Sequence, residues 1–185
     1  IQGGSAVFTE NAPIAVGLDI TDPLQTESPN RHTAYISGMS AWCSNCHGQY
    51  HDEGNSSAFT HNFDGSLGRD DVNRYTRYEG TANPTGGLAS TAYLPEVPFE
   101  DANAGTNSTQ GPTTNSRLMC LTCHRAHASS GPASGRWDFR ATDLTLDGQV
   151  SGSYALPSPY PNSPQGQLCA KCHRAGRQLP NYQRD

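Results

Sequence analysis

Three short stretches of the sequence place two cysteines and a histidine close enough together to hold one cofactor. They read CSNCH at residues 43–47, CLTCH at residues 120–124 and CAKCH at residues 169–173. Together they contain all six cysteines, Cys43, Cys46, Cys120, Cys123, Cys169 and Cys172, and the histidines His47, His124 and His173. C-x-x-C-H is the attachment pattern of c-type haem, with two thiols for the porphyrin and an imidazole for the iron. The pattern predicts three haems c, each held by two thioether bonds.

Paired cysteines also have other uses in proteins. Two C-x-x-C pairs can bind a structural zinc ion through four sulfurs, and a single pair can act as a redox dithiol or form a disulfide. A zinc site would use two of the three cysteine pairs, so the third pair and the three adjacent histidines would have no role. The histidine that follows every pair therefore favours haem.

The second axial position of each iron needs a further ligand. Two histidines on one iron suit electron transfer, whereas an open position suits binding or catalysis. Four histidines lie outside the motifs, His32, His51, His61 and His127. All four are candidate iron ligands, which is one more than three irons require. We interpret Met39 and Met119 as packing residues.

His127 follows His124 by three residues, a spacing that would place both side chains on one face of a short helix. From that face His127 would reach a neighbouring haem and not the one bound to His124. His51 follows His47 by four residues, and the same reasoning applies to it. The spacing therefore predicts closely packed haems.

The composition is poor in core-forming side chains. Leu, Ile, Val and Phe account for 26 of 185 residues, while Gly contributes 19 and Pro 13. Such a share is typical of disordered chains, but the net charge of −5 is small for that class. Haems that replace the missing core would explain it. The predicted fold class is mostly irregular coil with a few short α-helices at the motifs, minor β-structure and a haem core.

The same composition limits the partners. No basic run indicates nucleic-acid binding, and no apolar run approaches the 18 residues of a transmembrane helix. We predict four regions: an N-terminal arm (1–31), haem site 1 with a long connecting loop (32–116), a doubled motif region with sites 2 and 3 (117–176) and a tail (177–185). The stretch SAVFTENAPIAVGL predicts a strand, and LGRDDVNRYTRYEG predicts a helical turn.

The stretch from CLTCHRAH to LCAKCH resembles the doubled C-x-x-C-H domain of multihaem c-type cytochromes. The matching positions are Cys120, Cys123, His124, His127, Leu168, Cys169, Cys172 and His173. The stretch WCSNCHGQYH, followed by FTHNF around His61, is similar to multihaem cytochromes of metal-reducing bacteria. Those usually carry a proline after this histidine, whereas Asn62 stands here.

The resemblance implies outward electron transfer. Members of this family are exported, some are extracellular, and several polymerise into filaments in which a histidine of one subunit ligates a haem of the next. It implies other redox proteins, further copies of the chain and an external electron acceptor as partners. Because c-type maturation takes place outside the cytoplasm, we expect an exported protein, at the cell surface or extracellular, with the periplasm as the alternative.

Three functions are compatible with these motifs. The first is an electron-transfer cytochrome and not an enzyme, with mainly bis-histidine haems, as the repeating subunit of a conductive filament in one version. The second is a haem enzyme that reduces a small nitrogen or sulfur compound at one open iron, with His51 or His32 as an acid or base. The third is a sensor or docking module in which haem is structural.

Overall fold

The structure, a computed structural model, describes residues 11–18, 27–47, 65–80, 82–129, 134–136 and 166–173. In these ranges short helices and one small sheet are joined by irregular coil. In chain order the elements are β1 (Ile14–Val16), β2 (Ala34–Ser37), α1 (Met39–His47), α2 (Arg69–Arg77), a 3₁₀ turn (Ala89–Thr91), α3 (Cys120–Cys123) and α4 (Gly166–Cys169). The prediction of a mostly irregular chain with short helices at the motifs is confirmed.

The two strands pair antiparallel, with Ala15 opposite Tyr35 and Val16 opposite Ala34. β1 lies inside the stretch for which the sequence predicted a strand. Gly38 ends β2 with a φ of +80°, a left-handed conformation that glycine adopts without steric cost. Its carbonyl then accepts the backbone N–H of Trp42, 2.9 Å away, so α1 starts directly after the sheet.

Single bridges extend this sheet sideways. Tyr35 of β2 pairs in parallel with Glu100, and Glu100 pairs antiparallel with Arg117, which in turn pairs with Ser66. The backbones of Glu100 and Arg117 exchange two hydrogen bonds of 2.9 and 2.8 Å. Because α1 follows β2 and α3 follows Arg117, these bridges bring the first two motif helices to the same side of the molecule.

Helix α2 carries charges that suit its dipole. Asp70 and Asp71 lie in its first turn, and Arg74 and Arg77 in its last turn. Acidic residues near the N-terminus and basic residues near the C-terminus are stabilising, because the helix ends carry partial charges of opposite sign. The helical turn predicted from this stretch is confirmed. Tyr75 is the residue that α2 buries.

The buried core is built largely from aromatic side chains. The Tyr75 hydroxyl donates to the Val97 carbonyl over 2.7 Å. Phe99 meets the Tyr75 ring edge to face, with the centroids 5.5 Å apart. The remaining members of this cluster are Tyr78, Ala92, Tyr93, Leu94, Leu168 and Ala170. Leu168 and Ala170 belong to the third motif region, so this motif is part of the core. Within the described ranges, no helix is long and apolar enough to cross a membrane.

Candidate haem-attachment sites

The first motif occupies the C-terminal half of α1. Its helix starts at Met39, whose backbone N–H donates to Oε2 of Glu100 over 2.8 Å. A carboxylate at this position satisfies an N–H that has no partner within the helix, and it also complements the helix dipole. Cys43 and Cys46 then lie about one turn apart, and His47 is the last helical residue. Glu100 thereby fixes the helix that presents the first motif.

The second motif coincides with α3, and side chains from two other segments hold it. The backbone N–H of Cys120 donates to Oγ of Ser40 in α1, 3.1 Å away. The hydroxyl of Thr122 donates to the Pro98 carbonyl over 2.7 Å and accepts the Met119 backbone N–H over 3.1 Å. Ser40 and Thr122 are both buried. These bonds dock the second motif against the first.

The chain leaves α3 in an extended conformation. His124 has φ −111° and ψ 161°, and it forms an antiparallel bridge with Gly135. Arg136 adds two bonds to this region: its backbone N–H donates to the Cys123 carbonyl over 2.8 Å, and its Nε donates to the Leu121 carbonyl over 2.5 Å. The segment around Arg136 therefore fastens the exit of the helix.

His127 does not share a helical face with His124, and that sequence prediction is wrong. α3 ends at Cys123, because the next residues pair with the segment at 134–136 in place of continuing the helix. His127 is exposed, and its φ of 63° lies in the left-handed region. The Ala128 N–H donates to the Ala126 carbonyl over 2.8 Å, which closes a three-residue turn around His127. Such γ-turns with positive φ are rare and strained.

The third motif is clamped by α2. Arg74 Nη1 donates to the Cys172 carbonyl over 2.6 Å. In the reverse direction, Nζ of Lys171 donates to the Tyr75 carbonyl over 3.0 Å and lies 4.8 Å from the centre of the Tyr75 ring. Tyr75 is in the last part of α2, where carbonyls lack helical partners and cations are favourable. The motif and the helix thus satisfy each other's polar groups.

The motifs approach one another through their sulfur atoms. The thiols of Cys43 and Cys120, from the first and second motifs, are hydrogen-bonded to each other. That bond, together with burial, raises the pKa of Cys43. Burial raises the pKa of Cys123 to about 12, and the nearby sulfurs of Cys169 and Cys172 add to the effect. The second motif therefore lies between the other two.

The thiol chemistry fits haem attachment better than redox exchange. All six cysteines lie in described residues, and none forms a disulfide. A reactive dithiol needs a thiolate with a lowered pKa, whereas burial raises the pKa of Cys169, and that of Cys172 to about 12. Two cysteines three positions apart, with a histidine directly after the second, are the donor set of haem c attachment. In the described ranges, no group of three or more His, Cys, Asp or Glu side chains is arranged to hold a metal ion.

The predicted ligands lie in different environments. His47 and His173 are exposed and His124 is partly buried. His32 is buried, and its ring nitrogens lie near the carbonyl oxygens of Thr33 and Ser108. His51 and His61 lie outside the described residues, so their ligation stays a prediction.

The sequence reasoning predicted the attachment residues but not the side chains that position their motifs. Side chains from other segments bond to a motif or to the helix that carries it, and no local sequence pattern marks such contacts. They are Ser40, Glu100, Arg74 and Arg136. Lys171 carried a signal, since it is the single lysine beside eleven arginines and stands inside a motif.

The sequence is similar to a known cytochrome. It is 29% identical over 176 residues to the C-type cytochrome OmcS of Geobacter sulfurreducens. The aligned region covers 88% of this chain and 40% of the relative, so the chain spans less than half of that protein's length. No model of a known protein family matches the sequence.

Solved structures lead to the same relative. The fold is similar to that in cryo-EM structures of OmcS nanowires from Geobacter sulfurreducens, with a TM-score of 0.65, 26% identity and coverage of 92% of this chain and 50% of the other. An outer membrane cytochrome S filament from the same organism gives a TM-score of 0.61 at 26% identity, over 76% of this chain and 38% of the other. These similarities confirm the sequence resemblance to c-type cytochromes that include filament-forming members.

Proposed function

We propose that this chain attaches three haems c and transfers electrons through them, as an electron-transfer protein and not as an enzyme. The attachment residues are the cysteine pairs Cys43 and Cys46, Cys120 and Cys123, and Cys169 and Cys172, with His47, His124 and His173 as the first axial ligands. The histidine directly after each of the three cysteine pairs carries the proposal, because this is the attachment pattern of c-type haem. The bond from the Cys120 N–H to Oγ of Ser40 supports it, because it joins the second motif to the helix of the first. When bound, haem iron supplies one-electron redox chemistry.

The polypeptide's contribution is to hold the attachment points together. Glu100 and Ser40 fix the first two motifs relative to each other, and Arg74 fixes the third against α2. All three bonds are made by side chains, which constrain the motifs although the connecting segments are irregular. An electron carrier benefits from such fixed positions, since little reorganisation accompanies a change of charge.

We further propose histidine as the second axial ligand. His127 is the candidate that the structure describes most fully, since it is exposed and held in a strained turn. Strain of this kind persists where the surrounding structure enforces it, and it is common at functional sites. His51 and His61 complete the proposed set on the grounds of the sequence alone.

Intact-mass spectrometry of protein produced in a host with c-type maturation tests the haem number. We expect the polypeptide mass plus three haems. Replacing both cysteines of one motif by serine, in three separate double variants, should remove one haem mass each time. A wild-type mass without haem, or a double variant that keeps all three, would contradict the proposal.

Spectroscopy separates electron transfer from the haem-enzyme alternative. With two histidines on each iron, the oxidised protein should show low-spin electron paramagnetic resonance signals and should not bind carbon monoxide when reduced. An open iron for small-molecule reduction would instead give a high-spin signal and a carbon monoxide adduct.

We propose that the protein acts outside the cell or at its surface and assembles with copies of itself. The support is the similarity to relatives described as filaments and nanowires. Its other partners would be redox proteins and an external electron acceptor. Negative-stain electron microscopy of the secreted or sheared fraction should show filaments, and particles that stay single at all concentrations would argue against assembly.

A further inference from the structure

His32 has an environment unlike that of the other described histidines. Its side chain is only 1% exposed. The imidazole stacks on the ring of Tyr93, with the centroids 3.6 Å apart and the planes 16° from parallel. One face of the ring is therefore covered by a second buried aromatic side chain.

Both ring nitrogens of His32 are engaged with backbone oxygens. Nε2 lies 2.8 Å from the Ser108 carbonyl, and Nδ1 lies 3.0 Å from the Thr33 carbonyl. A carbonyl oxygen can only accept, and a neutral imidazole has a single N–H, so only one of these two contacts is a donated hydrogen bond. We place the hydrogen on Nε2, which makes the shorter contact, to Ser108. An iron ligand must instead present a lone pair to the metal. Ligation through Nε2 would require the loss of the Ser108 bond.

Backbone hydrogen bonds also join His32 and Tyr93 to one loop, residues 105–109. The His32 N–H donates to the Thr106 carbonyl over 2.7 Å, and the Tyr93 N–H donates to the Thr109 carbonyl over 3.1 Å. His32 and Tyr93 thus hold the loop at 105–109 from both sides while their rings stack on each other. Withdrawing the imidazole toward a metal would break its contact with the Ser108 carbonyl and leave that part-buried oxygen without this donor, which is costly.

We infer that His32 is a structural residue that joins the start of β2 to the loop at 105–109, and that it is the histidine which does not bind iron. This inference rests on the proposed function, because it assigns the surplus among four candidates. The three that remain, His51, His61 and His127, match three irons one to one. Each iron then has one motif histidine and one further histidine.

Three variants of the mature protein test the inference: His32→Gln, His32→Phe and, as the control, His127→Gln. Glutamine keeps an N–H that can donate to the Ser108 carbonyl, and phenylalanine keeps the stacking on Tyr93. Electron paramagnetic resonance of the oxidised proteins reports the spin state, and thermal unfolding reports stability. We expect the iron of both His32 variants to stay low-spin as in the wild type, with a lower melting temperature for His32→Phe. His127→Gln should convert about one third of the iron to high-spin.

High-spin iron or carbon monoxide binding that appears in His32→Gln would overturn the inference, and so would its appearance in His32→Phe. The variants are always compared with the wild type, which keeps this result distinct from a failure of the proposed function. If the wild type already contains high-spin iron, bis-histidine ligation is what fails. His32 is then still judged by whether its replacement changes the wild-type signal.

Discussion

Individual polar side chains, more than apolar ones, fix the positions of the attachment motifs. Ser40, Glu100 and Thr122 are each less than a tenth exposed, and each forms a hydrogen bond that holds a motif helix. A buried polar group that loses its partner costs about 1–3 kcal/mol, more than most apolar contacts at the surface contribute. In a chain so poor in aliphatic residues, these bonds give the motifs a defined arrangement.

Glu96 is a half-buried carboxylate with one buried oxygen, and it destabilises the fold at neutral pH. In the described part of the chain, its Oε2 is a buried atom without a hydrogen-bond partner. Burial raises the pKa of the Glu96 carboxyl, and the charge of Glu27 adds to this, whereas its own backbone N–H and the cation of Arg136 oppose it. A pKa raised in the folded state means that folding favours the protonated form. Stability is then complete below the unfolded pKa of about 4.3 and declines as the pH rises through the folded pKa.

Glu96→Gln removes this titration. At pH 7 we expect the variant to be more stable than the wild type by about 1 kcal/mol, or roughly 2–4 °C in melting temperature. At about pH 3.5, where the wild-type carboxyl is protonated in both states, the difference should vanish. Thermal unfolding followed by circular dichroism at both pH values measures it. An advantage of equal size at the two pH values would show that the charge of Glu96 is not its cause.

The elements show how far local sequence determines this fold. The strand and α2 were predictable, because both depend on residues close together in the sequence. Apolar and polar residues alternate around β1, and Asp70 and Arg77 lie at the two ends of α2 where they suit the helix dipole. The end of α3 was not predictable. His124 leaves the helix since it pairs with Gly135, and the intervening sequence gives no sign of that pairing. Contacts between remote segments decide where such short helices stop.

The clamp between α2 and the third motif yields a prediction at the level of elements. Arg74 bonds to the Cys172 carbonyl and also pairs with Asp71 at 3.1 Å. Arg77, three residues further along the same helix, is exposed. Arg74→Gln should lower the free energy of unfolding by about 1–2 kcal/mol, the lower part of the range for charged hydrogen bonds because Arg74 is partly exposed. Arg77→Gln, which removes the same charge, should change it by less than about 0.5 kcal/mol.

Denaturant unfolding of the two arginine variants compares them directly. The comparison isolates the two contacts of Arg74, to the Cys172 carbonyl and to Asp71, because helix propensity and net charge change equally in both variants. Equal losses would mean that charge, and not the clamp, accounts for the effect. In that case the third motif would depend on its apolar contacts alone.

In the whole molecule, the third motif connects the attachment motifs to the aromatic core. Leu168 and Ala170, on either side of Cys169, belong to that core. The cysteines and motif histidines could be proposed as attachment residues from their spacing, because the haem c attachment pattern is local in sequence. The assignment of His32 did not, since its environment depends on Tyr93 and Ser108, which lie far along the chain. Sequence alone counted four candidate histidines, and burial sets His32 apart from His127, the other candidate that the structure describes.

Leu168 links the third motif to the core and therefore reports on the integrity of the whole molecule. It precedes Cys169 and is 1% exposed, in a cluster with Tyr75 and Phe99. Leu168→Ala should cost about 2–5 kcal/mol through lost burial and the cavity that remains. This corresponds to a melting temperature lower by roughly 4–20 °C. Leu88→Ala, at a leucine that is 64% exposed, should change the free energy of unfolding by less than about 0.5 kcal/mol.

Thermal unfolding of the haem-loaded proteins, followed both by far-ultraviolet circular dichroism and by haem absorbance, should give one coincident transition for each variant. Separate transitions would mean that the haem cluster holds together without the aromatic core.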